Sequence, residues 1–158
     1  MNSNFNGVIF SKLAKREDDR GWLFELFRDD ELTTEQQPVM SYASWTKTGV
    51  TRGPHEHRDQ TDLFCFVGPG DFKLSLWEKS PADADWKPDP KKEEYIVGES
   101  NPVAVLVPPG VVHAYTNISD HTGMVFNAPN QLFAGPGKRY PIDEIRHEGS
   151  KIYKCRMQ

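Results

Sequence analysis

The chain has 158 residues, with 19 Lys plus Arg against 23 Asp plus Glu, so its formal net charge is −4 with histidine neutral, and that length supports one domain around one core. A mildly acidic chain lacks the cationic field that binding a phosphate backbone requires, which excludes nucleic acid as an expected partner. The longest unbroken aliphatic run, 103–107, is far short of a bilayer span, and the first seven residues lack the cationic start and apolar stretch of a signal peptide, so a soluble, cytoplasmic protein with no membrane partner is expected.

In chain order, residues 7–13, 22–27, 39–45, 63–67, 72–77, 94–97, 104–107, 113–118 and 124–127 read as strands. The clearest is the run in which Phe72, Leu74 and Leu76 alternate with Lys73, Ser75 and Trp77, a period of two that suits a strand with one buried face. Only 30–37 and 80–86 look helical, each opening at a residue type that caps helix N-termini. The polar, proline-rich stretch 81–94 marks a surface excursion between two strands. Cys65 and Cys155 are far apart and form no Cys-x-x-Cys pair, which argues against a disulfide framework and against a thiolate zinc site. Short strands separated by turn signals predict an all-β sandwich, jelly roll or barrel in a single domain over 1–158.

Two segments carry chemistry. The first is Gly49-Val-Thr-Arg52-Gly-Pro-His55-Glu-His57-Arg-Asp-Gln60-Thr-Asp62. Residues two apart on an extended chain share a face, so His55 and His57 project the same way, and Arg52 falls near them. The second is Val107-Pro-Pro-Gly110-Val-Val-His113-Ala-Tyr115-Thr-Asn117. After the Pro-Gly turn, His113, Tyr115 and Asn117 share one strand face, and a polar face on a central strand calls for a wet cavity.

Together these segments resemble the paired signatures of the cupin superfamily. Gly49, His55, His57 and Gly68 match the first, with the acid displaced to Asp62, and Pro108, Gly110, His113 and Asn117 match the second, with Pro102 at its leading position. The resemblance implies a cupin jelly roll, a double-stranded β-helix with its pocket inside the barrel. Asp18-Asp-Arg20-Gly21-Trp-Leu-Phe-Glu25-Leu-Phe27 and Ser44-x4-Gly49-Val50-x-Arg52-Gly53-x-His55 further resemble the dTDP-4-dehydrorhamnose 3,5-epimerase family, and Pro108-x-Gly110-x2-His113 continues in order. By that resemblance His55 is the catalytic base, and Arg52 and His113 sit beside the sugar. Arg20, in a segment with Glu25, reaches the nucleotide diphosphate in a neighbouring subunit. The implied protein is an isomerase or epimerase without a cofactor, a homodimer to which 1–30 contributes, acting on a nucleotide-linked 4-keto-hexose in polysaccharide synthesis.

The chain also departs from that family. Its active-site lysine aligns near Thr61, its catalytic tyrosine near Pro129-Asn130-Gln131-Leu132, and its base-pairing aspartate belongs to a longer C-terminal segment. Gln60, Asp62, Asn127 and Asn130 are therefore expected to take over substrate-binding parts of the site. The second acid is to be sought among Tyr115, Tyr42 and His57. Arg52-Gly-Pro-His55-Glu-His57-Arg58 is also similar to the dTDP-sugar 3,4-ketoisomerases. An acid at His57, on the base's side of the sugar, favours retained configuration or a moved ketone over inversion. Two other classes remain open. One is a metal cupin with His55, His57, Asp62 and His113 as ligands, against which the displaced acid counts because a one-residue shift flips a strand's face. The other is a non-catalytic sugar-binding cupin.

Overall fold

The computed structural model describes residues 1–78, 90–150 and 152–155. Its strands are β1 (Ile9–Lys12), β2 (Arg16–Asp18), β3 (Gly21–Leu23), β4 (Tyr42–Thr46), β5 (Thr51–Glu56), β6 (Asp62–Phe66), β7 (Asp71–Trp77), β8 (Lys92–Gly98), β9 (Val103–Val107), β10 (Val112–Asn117), β11 (Gly123–Asn127) and β12 (Ile145–Arg146). They form two five-stranded sheets, ordered β1-β9-β6-β11-β4 and β12-β5-β10-β7-β8, plus the hairpin β2-β3. Neighbouring strands pair antiparallel throughout. Two facing sheets of this kind make the expected jelly roll.

The main core lies between the sheets, where Phe64, Phe66, Val105 and Val125 meet Phe72, Leu74, Leu76 and Val97. Tyr115 joins them, its ring edge-on to Phe64, Phe66 and Phe72. The run 63–67 is apolar without alternation because both of its faces are covered. Leu63 and Cys65 point outward, where Phe24, Leu26 and Leu32 lie over them, and burial pushes the Cys65 thiol up to about 12. The outer face of β10 is likewise closed, Ala114 and Val112 packing with Trp77 under Tyr153 and Cys155 of the C-terminal segment. Cys65 and Cys155 are both free thiols.

The expected helix at 30–37 is instead two 3-10 turns, Asp29–Glu31 and Thr34–Gln36. The capping signal is real, since Thr33 and Gln36 form a reciprocal capping box. Pro38 follows, however, and the residue before a proline is steered to the extended region, where Gln37 lies. The other helical reading, 80–86, lies outside the described residues. The strand expected at 22–27 shrinks to β3 because Phe24 and Leu26 turn to cover the first sheet. Among the described residues no helix is long and apolar enough to cross a membrane.

Candidate active site

The site forms where the two sheets open at one end. β5 and β10 are neighbours in the second sheet, with His113 directly opposite His55, and the two rings stand 4.4 Å apart between centroids. His57, just beyond the end of β5, completes the group at 5.5 Å from His55 and 6.0 Å from His113. Asp62 opens β6 in the facing sheet. Its side chain is turned inward by the pairing of β6 with β9, so counting residues from His57 does not decide its face. One donor atom from each of His55, His57, Asp62 and His113 lies within 4.8 Å of the others. The displaced acid of the sequence is thus at the centre of the cluster.

A hydrogen-bond network fixes these side chains. Asp143, from the C-terminal segment, accepts from the backbone N–H groups of Arg58, Asp59 and Gln60 at 3.0, 3.0 and 2.8 Å, and its own carbonyl accepts from His57 Nδ1. Although partial burial disfavours its charge, those backbone donors hold the Asp143 carboxyl below the usual carboxylate range. Asp62 Oδ1 accepts from Gln60 Nε2 at 3.0 Å and Asn127 Nδ2 at 2.8 Å, and Asn127 Nδ2 also donates to the Tyr42 hydroxyl at 3.0 Å. Burial works against the charge of Asp62, but the imidazoles of His113 and His57 outweigh it and lower its pKa. Burial also opposes a charged His57, and Asp62 outweighs it there, raising the pKa. His55 has no such partner in contact. Burial first, then His113 and His57, push it down to about 2 and keep it neutral.

Above this floor opens a cavity of about 1070 Å3, lined on one side by Tyr42 and Ser44 of β4 and on the other by Arg52, His55 and His57. Residues 129–148 close its rim. Arg52 lies along the wall, donating to Thr46 Oγ1 at 2.9 Å and to the Trp45 carbonyl at 2.8 Å. The Tyr115 hydroxyl meets Ser44 Oγ at 3.0 Å. Tyr42 is partly exposed as a residue, yet its hydroxyl sits over Asn127, and burial there pushes its pKa up to about 12.

Of the residues picked from sequence, the fold brings His55, His57, His113, Tyr115, Arg52, Gln60, Asp62 and Asn127 together. Asn130 reaches the rim, but its side chain is used by the loops, accepting from Thr61 N at 2.8 Å and donating to the Glu35 carbonyl at 2.7 Å. Arg20 and Glu25 do not approach this chain's cavity. Arg20, its side chain 89% exposed, pairs with Asp18 at the hairpin tip, and Glu25 pairs with Arg16 and Arg28. The sequence reading missed Glu144. It is carried beside β5 by β12, where Arg146 pairs with His55, and its Oε1 lies 4.0 Å from His55 Nδ1. Lys138 and Tyr140 on the rim were missed as well.

Gly53 holds His55 in place. Its φ is +84°, and a Cβ there would stand 2.6 Å from the His113 carbonyl oxygen and 3.0 Å from His55 Nδ1. Gly53→Ala is expected to cost about 2 kcal/mol or more through the disfavoured backbone and the backbone clash. Thermal unfolding would check this, and an unchanged midpoint would refute it.

The sequence model of the dTDP-4-dehydrorhamnose 3,5-epimerase family matches residues 2–138, which leaves Asp143 and Glu144 beyond the matched region. The chain is 38% identical over 112 residues, 70% of each chain, to the "Spore coat polysaccharide biosynthesis protein SpsL" of Bacillus subtilis (strain 168). It is 31% identical over 134 residues, 82% of this chain and 81% of the relative, to the "Probable low-salt glycan biosynthesis epimerase Agl13" of Haloferax volcanii. In fold it resembles the dTDP sugar isomerase of Desulfovibrio desulfuricans G20, with a TM-score of 0.75 at 18% identity over 93% of this chain and 87% of that one. The family match across most of the chain and these two relatives lead to one conclusion: the chain belongs to the dTDP-4-dehydrorhamnose 3,5-epimerase family.

Proposed function

We propose that the chain epimerises a nucleotide-linked 4-keto-hexose, with His55 removing a proton from a carbon beside the ketone and Tyr42 returning one to the opposite face. The observation that carries this reading is the placement of the two groups on opposite sheets, His55 on β5 and Tyr42 on β4, lining one cavity. A base must be unprotonated to act, and burial keeps His55 so. As its ring takes up charge, the Glu144 carboxylate 4.0 Å from Nδ1 balances it. Tyr42, held protonated by its raised pKa, is a donor at neutral pH. Tyr115 and His57 suit the acid role less well. Tyr115 stands on β10, beside the base, and His57 has both ring nitrogens facing fixed partners. A cavity of about 1070 Å3 has room for more than a free monosaccharide.

The finer points of assembly belong to the same proposal. The chain is a single domain over 1–158 that works as a cytoplasmic homodimer in polysaccharide synthesis, and residues 1–30 lie across the partner. Trp22 and Leu23 are exposed on the β2-β3 hairpin, next to the outstretched Arg20. Exposed aromatic and aliphatic groups beside a solvent-exposed guanidinium, held at the hairpin tip by Asp18, suit a partner surface and a diphosphate. Sedimentation is expected to show a dimer, and a stable, fully active monomer would contradict it. The activity itself is tested by incubating the protein with a dTDP-linked 4-keto-6-deoxyhexose and reading proton coupling constants. A changed configuration beside the ketone is expected. Binding with no turnover would replace the reading with a sugar-binding module.

A further inference from the structure

Three neighbouring strands of the first sheet set a row of polar side chains along the cavity wall. β11 lies between β4 and β6, with Asn127 opposite Tyr42 on one side and opposite Phe64 on the other. Asp62, two residues before Phe64, shares its strand face, so Asn127 stands between a phenol and a carboxylate. Its Nδ2 is 2.8 Å from Asp62 Oδ1 and 3.0 Å from the Tyr42 hydroxyl. An amide can present either its nitrogen or its oxygen to a neighbour, and the neighbours decide which. Although burial opposes its charge, the imidazoles of His113 and His57 keep Asp62 ionised, so it can only accept. The NH2 group of Asn127 must therefore face it. A flipped amide would set oxygen against oxygen where Asp62 and Asn127 are each 1% exposed. The orientation kept has a visible cost, since Asn127 Oδ1 is buried and makes no hydrogen bond.

That choice passes on to Tyr42. Asn127 donates to the Tyr42 oxygen, so their bond does not use the hydroxyl hydrogen, and among the described residues it is the only hydrogen bond of that hydroxyl. Tyr42 lines the cavity, and its hydrogen is left for whatever occupies it. We propose that Asn127 is the positioning residue of the proton donor: oriented by Asp62, it holds the Tyr42 oxygen as an acceptor and so turns the hydroxyl hydrogen toward the substrate carbon. The inference rests on the epimerase reading above, in which Tyr42 is the donor. When the Tyr42 O–H bond breaks, its proton joins the carbon through the electron pair of the enolate, and the pair of the broken bond stays on the phenolate oxygen. Asn127 Nδ2–H already points at that oxygen, where the negative charge appears. Solvent water then returns a proton to the phenolate. One carboxylate thus orders groups on both sides of the sugar. Asp62 Oδ2 faces Nε2 of His57 and His113, on the base's side, at 3.2 and 3.4 Å, while Oδ1 fixes the amide behind the acid.

Asn127→Asp tests this with little change of shape. Beside the Asp62 carboxylate the introduced acid binds a proton and donates it to Asp62, which leaves only an oxygen for Tyr42. The hydroxyl hydrogen then turns to that oxygen and away from the substrate. With a dTDP-linked 4-keto-6-deoxyhexose in heavy water, exchange should continue through His55, while the ratio of inverted product to exchanged deuterium falls about 10-fold or more. Circular dichroism confirms the fold. An unchanged ratio in the folded variant, or equal loss of exchange and inversion, would overturn the proposal. Should Asn127→Asp fail to fold, the side-chain amide resonances of Asn127 carry the test. Tyr42→Phe should move one Nδ2 proton upfield and leave the other, bonded to Asp62, in place, and movement of neither would overturn the proposal. Inversion by the wild-type protein with an unchanged ratio in Asn127→Asp removes the role of Asn127 and leaves the epimerase reading standing. A wild-type protein that neither exchanges nor inverts removes that reading and Tyr42 as donor with it, even where the amide resonances show the expected orientation.

Discussion

His55→Ala is expected to lower deuterium exchange from solvent into a 4-keto sugar nucleotide by at least ~10²-fold, the usual cost of losing a general base. His55 lines the cavity and, of the three clustered histidines, is the one whose ring nitrogens make no hydrogen bond to a backbone carbonyl or to Asp62, while Glu144 stands behind its Nδ1. Its removal enlarges an existing cavity and empties no part of the core between the sheets, so the variant should fold. Exchange at the wild-type rate in folded His55→Ala protein would remove His55 from the chemistry.

The second large effect is expected at Tyr42. Tyr42→Phe deletes one hydroxyl, which accepts from Asn127 Nδ2, and Asn127 keeps its other bond to Asp62. The stability cost is therefore small, about 1 kcal/mol. The catalytic cost is not small. With the base intact and the opposite donor gone, proton removal continues while delivery to the far face fails. Exchange should persist as the yield of inverted sugar falls by ~10²-fold. Equal loss of exchange and inversion would assign Tyr42 to substrate binding, and loss of neither would move the donor elsewhere, with Tyr140 on the rim the next group to replace.

The sequence revealed this site unevenly, for physical reasons. His55, His57, His113 and Tyr115 were legible because a strand's period of two carries side chains to one face, and the Pro-Gly turn before β10 marks where that strand starts. Asp62 was picked from sequence, but its face was not legible because strand parity is lost through the turn at 57–61, whereas the register of β6 against β9 sets it. Asp143 and Glu144 were invisible. They reach the site through β12, a two-residue strand with no periodic pattern, whose position depends on pairing with β5. An all-β sandwich, jelly roll or barrel was legible from short strands between turn residues, and the cupin resemblance narrowed it to the jelly roll, but the coverage of both outer faces was not legible. Leu26 and Leu32 over Cys65, and Tyr153 over Trp77, are contacts made by segments with no regular structure of their own or at the chain's end.

The central claim is that protons leave and return beside a ketone on opposite faces of the sugar. Incubation of the wild-type protein with a dTDP-linked 4-keto-6-deoxyhexose in heavy water, with deuterium mapped by carbon position, tests it most directly. The account predicts deuterium at one or both carbons flanking the ketone, inverted configuration wherever deuterium enters from the Tyr42 side, and a ketone that stays where it was. Deuterium with a migrated ketone, or a substrate recovered with neither label nor inversion, would contradict it.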